Sequence, residues 1–339
     1  MAKRDEWLAQ VQEKALEPDL PICDPHHHLW DLRPDSPEPR YLLDDILKDT
    51  NSGHNIVSTV FIECHAMYRA DGPDATKPIG EVEFVNGIAA MSASGLYGKT
   101  RVAAGIIGHA DLMQGARAGE VLDALDLAGN GRFRGIRHAV AWDADPAIRN
   151  HRTNPPEHRY RDKTFREGLA QLAPRKLTFE AWCYMKQIGE LADLAKSNPD
   201  LTIILNHFGG PLGLGGYDGK RAEVLDFWRK EIAALAKCEN VVAKLGGLNM
   251  DINGFHWHKR PKPPTSQELI DATRPYFEYT IEKFGADRCM FESNFPVDKL
   301  SCSYTVCWNS FKRLTKDYSK SEKAKLYHDT ATRVYGLGT

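Results

Sequence analysis

Residues 21–31, PICDPHHHLWD, join a short apolar run to three consecutive histidines. Further short runs of apolar or β-branched residues follow along the chain, separated by stretches with helical period. We predict eight strands, at residues 20–23, 56–62, 100–107, 133–136, 177–182, 202–205, 241–245 and 288–291. The helices between them are clearest at residues 186–196, 221–238 and 267–284. The elements therefore alternate between strand and helix.

Eight strand–helix units in 339 residues predict an α/β protein, a (β/α)8 TIM barrel. A doubly wound open sheet is the alternative, but no glycine-rich phosphate loop follows the first predicted strand. We expect a single domain over residues 1–339, with long insertions in the loops that follow the strands. A helical extension is expected at residues 1–19 and C-terminal helices at residues 300–339.

Composition excludes several classes of partner. The formal net charge is -2 and the charges are interspersed, so the chain shows no electrostatic footprint for nucleic acid or a membrane surface. No apolar run approaches the roughly 20 residues that span a bilayer, and the charged N-terminal stretch is unlike a signal peptide. The seven cysteines contain no CxxC spacing, which argues against a disulfide framework. We expect a cytoplasmic protein that acts on a small molecule and could form a homo-oligomer.

Polar residues cluster where predicted strands end, and a barrel brings those ends to one rim. They are Asp24 and the histidines 26–28 after the first strand, Glu63 and His65 after the second, Arg137 and His138 after the fourth, Asn206 and His207 after the sixth, and Glu292, Ser293, Asn294 and Asp298 after the eighth. On an extended strand His26 and His28 share one face, so they can chelate one ion or one oxyanion. His27 points the other way. The alternative for the pair is a hydrogen-bonded turn packed beside Trp30.

Six motifs lie between about residue 20 and residue 335: DPHHHLWD at 24–31, FRGIRH at 133–138, LTFEAW at 177–182, LNHFGGP at 205–211, VVAKLGGL at 241–248 and FGADRCMFESNFPVD at 284–298. Together they resemble the amidohydrolase-related (amidohydrolase 2) family of TIM-barrel lactonases, which includes fuconolactonase and 2-pyrone-4,6-dicarboxylate lactonase. Each motif is short, but their order and spacing together are specific. The resemblance implies a barrel hydrolase that opens small cyclic esters.

The resemblance also implies roles for individual residues. His26, His28 and His207 would surround the attacked carbonyl or hold one divalent metal ion, zinc or manganese. Arg137 would meet carboxylate or hydroxyl groups of the substrate. The fifth strand offers Glu180, Trp182 and Tyr184 where the wider superfamily usually has a histidine, so a site with two metal ions is not expected.

One departure from the family pattern concerns the catalytic base. The motif after the last strand is SNFP rather than the frequent SDWP, which puts Asn294 where an aspartate would act as base and metal ligand. An amide cannot take the proton. Glu63 or Asp298 could supply the carboxylate instead, and Glu63 is preferred because it lies directly at a strand end. The alternative for Glu63 is an ion pair with an arginine at the barrel mouth. Asp24 is expected to orient a histidine through a hydrogen bond.

Two mechanisms remain open at this point. A metal on the histidines would lower the pKa of a bound water to about 7, and Asn294 could then orient that water. Without a metal, the three histidines would form an electrostatic cradle for the carbonyl oxygen, and one of them would act as base. The absence of an aspartate at position 294 favours the metal.

Three long loops are expected to set specificity, at residues 65–80, 139–162 and 254–264. Solvated surface or an oligomer contact is the alternative for these loops. We predict that Trp30, His65, His138 and Tyr184 bind substrate together with Arg137. Arginines at positions 137, 149, 152, 159 and 161 indicate an anionic substrate.

Three classes of function follow from these residues. Lactone hydrolysis is the leading one. The second is decarboxylation, or another amidohydrolase-related reaction, on a ring-fission acid. The third is a barrel that binds acids without turnover. Release of acid from a lactone, release of carbon dioxide, or binding alone would distinguish them.

Overall fold

The structure is a computed structural model that describes residues 2–34 and 36–338. Eight parallel strands form one sheet, and each strand pairs with the next one in sequence. The strands are β1 (Pro21–His27), β2 (Asn55–Ile62), β3 (Arg101–Gly108), β4 (Phe133–Arg137), β5 (Thr178–Ala181), β6 (Ile203–Leu205), β7 (Val241–Leu245) and β8 (Cys289–Phe291). This order confirms the predicted (β/α)8 TIM barrel.

Helices follow the strands and cover the outside of the sheet. The α-helices are α1 (Ala2–Leu8), α2 (Leu43–Thr50), α3 (Ile79–Ala93), α4 (Ala118–Gly129), α5 (Lys163–Leu169), α6 (Ile188–Lys196), α7 (Arg221–Leu235), α8 (Ser266–Phe284), α9 (Tyr304–Leu314), α10 (Lys320–Ala324) and α11 (Thr330–Val334), with a π-helix at Lys325–Asp329. Helix α8 begins with a capping box, because the Thr265 hydroxyl accepts from the Glu268 N–H and the Glu268 carboxylate accepts from the Thr265 N–H.

Alternate strand residues fill the inside of the barrel. Six strands contribute to one inner apolar cluster, made of Cys23, Val60, Ile62, Ile107, Ile204, Val242 and Met290, and residues Ala331, Tyr335 and Leu337 of the C-terminal segment join it. Side chains from six strands can share one cluster only in the interior of the barrel. The C-terminal segment therefore packs against the barrel interior and forms its floor.

The seam between the last strand and the first is closed by the polar residues around them. His27 forms a parallel bridge with Phe295, and the His28 N–H donates to the Phe295 carbonyl at 2.8 Å. The Asp24 carboxylate accepts from the N–H and the hydroxyl of Ser293 at 3.0 and 2.5 Å. It also accepts from the Tyr304 hydroxyl at 2.9 Å. Asp24 Oδ1 also accepts from the His26 backbone N–H at 3.4 Å, so the expected hydrogen bond to a histidine is made to the backbone, while the carboxylate also holds the segment after β8.

Two boundaries differ from the prediction. The first strand was predicted to end at residue 23, whereas β1 continues to His27 because the partners of Asp24 and His27 extend its pairing. The N-terminal helix covers only Ala2–Leu8 of the predicted extension at residues 1–19. Beyond it, the Glu13 carboxylate accepts from the Ser266 N–H at 2.8 Å and from the Asn309 amide at 2.9 Å, which ties this segment to α8 and α9. Within the described residues, no helix has both the length and the apolar composition needed to cross a membrane.

Candidate active site

Glu292 lies between two histidines at the carboxyl ends of the strands. Its Oε1 lies 2.6 Å from His207 Nδ1, and its Oε2 lies 2.7 Å from His26 Nδ1. The ring centroids of His26 and His207 are 4.4 Å apart, and all three side chains are buried. The barrel thus brings residues from β1, from the turn after β6 and from the end of β8 into one cluster.

Hydrogen-bond partners decide which ring nitrogen of these histidines carries the proton. His28 Nδ1 lies 2.8 Å from the Ile62 carbonyl oxygen, which can only accept, so Nδ1 donates and Nε2 keeps a lone pair. His207 Nδ1 lies 2.6 Å from Glu292 Oε1 and donates to it in the same way when the Glu292 carboxyl group is ionised. Burial holds the pKa of both rings well below the usual range, so both are neutral. Neutral rings with free Nε2 atoms can bind a metal or accept a proton.

The sequence around His207 leaves room for its ring. His207 and Phe208 adopt left-handed backbone angles, with φ of 49° and 59°. The ring lies against Gly247, whose φ is 74°; a Cβ there would come within 2.3 Å of His207 Nδ1. A side chain at position 247 would therefore displace the ring from Glu292.

The cluster rests on a second layer of charge inside the barrel. Lys244 Nζ lies 2.9 Å from Glu180 Oε2 and 3.4 Å from His26 Nδ1, and all three residues are fully buried. Burial raises the pKa of Glu292 to about 8, with Lys244 opposing the rise and Glu180 adding to it. The Glu292 carboxyl group can therefore gain or lose a proton near neutral pH.

The side chains at the centre of the site fit a divalent metal ion. Ligand atoms of His26, His207 and Glu292 all lie within 4.8 Å of one another. Glu292 Oε2 touches His26 Nδ1 but has no aligned hydrogen-bond donor within the described residues, which is costly for a buried carboxylate oxygen. Two histidines and one glutamate are a common donor set for catalytic zinc. His28, the third ligand predicted from the sequence, is not one of these three, but its ring centroid lies 5.0 Å from that of His26, and its Nε2 keeps a lone pair.

Arg137 connects the histidines to Glu63. Its Nε donates to Glu63 Oε1 at 2.7 Å, its Nη2 donates to the Glu63 carbonyl at 2.6 Å, and its Nη1 lies 3.5 Å from His26 Nε2. Burial alone would raise the pKa of Glu63, but the charges of Arg137 and Arg152 hold that pKa well below its usual range. Glu63 is thus a firmly ionised partner of Arg137 and a weak base. The ion pair left open by the sequence is the arrangement that the structure shows.

Asn294 is bonded to Asp298 rather than to the histidine rings. Its amide donates to Asp298 Oδ1 at 2.8 Å, and its backbone N–H donates to the His26 carbonyl at 3.0 Å. Asp298 also accepts from the Asn249 N–H at 3.2 Å. Burial raises the pKa of Asp298 to about 8. Both residues therefore hold the segment after β8 in place from beside the site.

Asp298 gives a prediction about stability and pH. Because its folded-state pKa of about 8 lies above the unfolded value of 3.8, the wild type should lose stability as pH rises from about 4 to about 8. Asp298→Asn cannot titrate, so its melting temperature relative to wild type should increase by at least about 3 °C between pH 5 and pH 8.5. Thermal unfolding at three pH values measures the difference. A difference that does not change with pH would show that Asp298 is ionised throughout.

The other predicted substrate-binding residues lie further from the cluster. His138 Nδ1 accepts from the Leu112 N–H at 3.1 Å, so its ring is committed to the backbone. The Tyr184 hydroxyl donates to the Arg149 carbonyl at 2.5 Å and so supports the loop after β4. His65 is exposed in the loop after β2. Of the predicted substrate-binding set, Arg137 and Trp30 are the two that lie beside the histidines in the described structure.

Two further arginines meet above the rim. Arg33 from the loop after β1 and Arg152 from the loop after β4 both donate to the carbonyl oxygen of Cys64. The Arg33 guanidinium also lies over the Trp30 ring, 4.5 Å from its centroid. Two positive charges therefore converge on one neutral oxygen at the mouth of the site.

Four residues of the site had been given no catalytic, binding or metal-ligating role from the sequence, although Glu292 was among the polar residues at strand ends. They are Glu292, Lys244, Glu180 and Trp182, whose ring edge packs on His207 with centroids 4.9 Å apart. The available signal was a charge within or directly after an apolar strand, as in VVAKL and CMFE. Such a charge cannot face the apolar outer layer of a barrel, so it must find a partner inside it.

Comparisons with known proteins follow the same motifs. The chain matches a family model described as amidohydrolase over residues 23–337. A relative from Sinorhizobium fredii, named uncharacterized protein y4mH, is 35% identical over 94% of this chain and 99% of its own length. The L-fucono-1,5-lactonase of Burkholderia multivorans is 24% identical over 78% of this chain and 86% of its own length.

A solved structure extends the likeness to the fold. The crystal structure of an amidohydrolase from Burkholderia multivorans with bound zinc superposes with a TM-score of 0.72 at 22% identity, covering 94% of this chain and 99% of that one. The family model spans all eight strands and the site between them. As the motifs at the strand ends predicted, the chain belongs to the amidohydrolase family.

Proposed function

We propose that the protein is a hydrolase that opens a lactone, a small cyclic ester, by attack of water at the cluster of His26, His207 and Glu292. The observation that carries the proposal is the buried Glu292 carboxylate, which contacts both Nδ1 atoms while one of its own oxygens has no aligned donor. Such a group can take the proton of an attacking water. The lactonase relative supports the choice of a cyclic ester.

Glu292 supplies the carboxylate that the family pattern places two residues later, at Asn294. Its pKa, raised by burial to about 8, makes it a stronger base than an exposed carboxylate. In the proposed reaction it accepts the proton of the water at Oε2. It then returns that proton to the alkoxide that leaves when the ring opens. Asn294 has no part in this transfer, because its amide is bonded to Asp298.

Arg137 is the cation placed to stabilise the negative charge that forms on the attacked carbonyl oxygen. Its guanidinium lies 3.5 Å from His26 Nε2, and its ion pair with Glu63 fixes its orientation. A charged donor that is already oriented costs little reorganisation when charge develops. Glu63 therefore acts by positioning Arg137.

A divalent metal ion, zinc or manganese, bound by His26, His207 and Glu292 would supply a water of lowered pKa and polarise the carbonyl. The zinc bound by the Burkholderia multivorans amidohydrolase supports this assignment. The pKa of about 8 applies to Glu292 without an ion; with one bound, one carboxylate oxygen would be a ligand, and the other would accept the proton of a water whose own pKa the ion lowers. His28 remains as a neutral side chain on the wall of the site.

The substrate is expected to be an anion that carries a carboxylate. Arg33 and Arg152 converge on the Cys64 carbonyl, and the repulsion between two close guanidinium groups falls when an anion lies between them. Arg137 donates to the carbonyl of Glu63, the residue before Cys64, and its Nη1 lies 3.5 Å from His26 Nε2. It is therefore closer to the histidines than the two outer arginines are. A substrate carboxylate at the two outer arginines would leave the lactone ring to extend toward the histidine cluster.

A lactone panel tests the proposed function. Five- and six-membered lactones, each with and without a carboxylate, are incubated with the purified protein, and acid release is followed with a pH indicator. We expect turnover, with kcat/KM at least about tenfold higher for the carboxylated lactones, as is typical of a charged contact.

Arg152→Met should remove this preference and leave the neutral lactones unaffected. Arg175→Met, at an arginine that forms an ion pair with Asp123 of α4, is the control and should change neither. Equal turnover of carboxylated and neutral lactones would contradict the proposed anionic substrate but support the proposed lactonase activity. If no lactone is opened while aromatic acids release carbon dioxide, the protein is instead a decarboxylase.

A further inference from the structure

Lys244 is a charged residue in the middle of a buried strand. Strand β7 reads VVAKL, and every residue of it is buried. Val242, two residues earlier, belongs to the inner cluster of the barrel, so Lys244 points inward as well. Its ammonium group reaches the layer directly beneath the histidines, where it contacts Glu180 Oε2 at 2.9 Å and His26 Nδ1 at 3.4 Å.

Glu180, the partner of this lysine, is held from the barrel floor. Its Oε1 accepts from the Tyr335 hydroxyl in the C-terminal segment. Its Oε2 accepts from the Asn206 amide as well as from Lys244. The Tyr335 side chain is 1% exposed and Glu180 is fully buried. A continuous chain of contacts therefore runs from Tyr335 through Glu180 and Lys244 to His26.

Stability alone does not account for this ion pair. Taking an ammonium and a carboxylate out of water is costly, and replacing a buried pair by neutral side chains of similar volume is often neutral or stabilising. The layer below is apolar and would accommodate such side chains. The Lys244–Glu180 pair lies directly beneath His26, so a role in the site is the alternative to a role in stability.

The ammonium of Lys244 also lies between two carboxylates. Glu180 is on one side, and on the other His26 Nδ1 contacts Glu292 Oε2 at 2.7 Å. Without the ammonium, two buried negative charges would repel each other across the His26 ring. Movement of either carboxylate would disturb the contacts of that ring.

We propose that Lys244 is a positioning residue, which fixes the His26 ring, and through it the Glu292 carboxylate, from the layer below. Glu180 and Tyr335 hold the Lys244 side chain in place. Lys244 itself does not touch the substrate. Its effect on turnover rests on the proposed lactonase function, whereas its effect on the position of the His26 ring does not.

The test removes the ion pair without leaving a single buried charge. A double variant, Lys244→Met with Glu180→Gln, keeps the side-chain volumes and removes both charges. We expect it to unfold at the same temperature as wild type or higher, while kcat falls at least about thirtyfold and KM changes by less than about threefold. In its crystal structure the His26 ring should be rotated or displaced relative to the wild-type crystal structure.

Lys312→Met is the matched control. Lys312 is another buried lysine, and its Nζ donates to the Leu16 and Glu17 carbonyls at 2.8 Å. These partners belong to the N-terminal segment and not to the histidine cluster. This variant should lower the melting temperature and leave kcat unchanged. Tyr335→Phe removes only the hydroxyl that donates to Glu180, and it should lower kcat about threefold to tenfold. This variant tests the proposal if the double variant does not fold.

Two results would overturn the proposal. One is a double variant with kcat within about threefold of wild type; the other is a crystal structure with the His26 ring unmoved. If the wild type opens no lactone, the proposed function fails, and the position of the ring alone decides the role of Lys244.

Discussion

Replacing Glu292 by glutamine is expected to lower kcat/KM at least about a thousandfold, because one substitution removes the proton acceptor and a metal ligand together. Glutamine keeps the volume of the side chain but cannot accept the water's proton. It also leaves the Nδ1 atoms of His26 and His207 without the carboxylate they contact in the wild type. The measurement is steady-state kinetics on the best lactone of the panel, with metal content determined on the same preparations.

Removing the metal from the wild type should cause the same loss of activity as Glu292→Gln. A chelator is expected to abolish turnover, and zinc or manganese should restore it, whereas Glu292→Gln should recover little activity with either ion. Asp298→Asn is the matched control, since it changes another buried carboxyl group of the same segment and should keep kcat/KM within about tenfold. If Glu292→Gln kept nearly full activity while Glu63→Gln lost it, the base would have to be Glu63.

The fold could be predicted because parallel strands buried on both faces read as short apolar runs. Each of the eight predicted runs coincides with an observed strand. The end of β1 was missed because Asp24, His26 and His27 are polar yet remain in the strand. Asp24 and His27 pair with Thr59 and Phe61 of β2, and they also contact Ser293 and Phe295 in a segment more than two hundred residues away. No pattern in the local sequence indicates contacts with such a distant segment.

The site was only partly predictable for a related reason. His26 and His207 could be identified because each follows a strand, and strand ends meet at the rim. Glu292 follows β8 just as directly, but the family pattern has its aspartate at position 294 and so predicts the base there. Lys244 and Glu180 lie within strands, and their roles depend on which side chains meet inside the barrel. That information arises only when the strands close.

The histidines give the second large expected effect. His26→Ala and His207→Ala should each lower kcat/KM at least about a hundredfold, because each removes a ring that contacts Glu292 and a group able to bind the metal. Both variants are expected to fold, since the apolar cluster inside the barrel is unchanged. Thermal unfolding and metal content, measured beside the kinetics, separate loss of the site from loss of the fold.

His27→Ala is the control within the same run of three histidines. His27 is fully buried, but its Nε2 is hydrogen-bonded to the Thr59 hydroxyl at 2.8 Å, and that hydroxyl accepts from the Ala103 N–H at 2.9 Å. Its ring therefore supports the pairing of the first three strands and lies outside the cluster. We expect His27→Ala to lower the melting temperature while kcat/KM of the folded protein stays within about tenfold of wild type. If His27 proved as necessary for turnover as His26, the division of the three histidines between two faces of β1 would be wrong, and the site would have to include the side of the strand that faces Thr59.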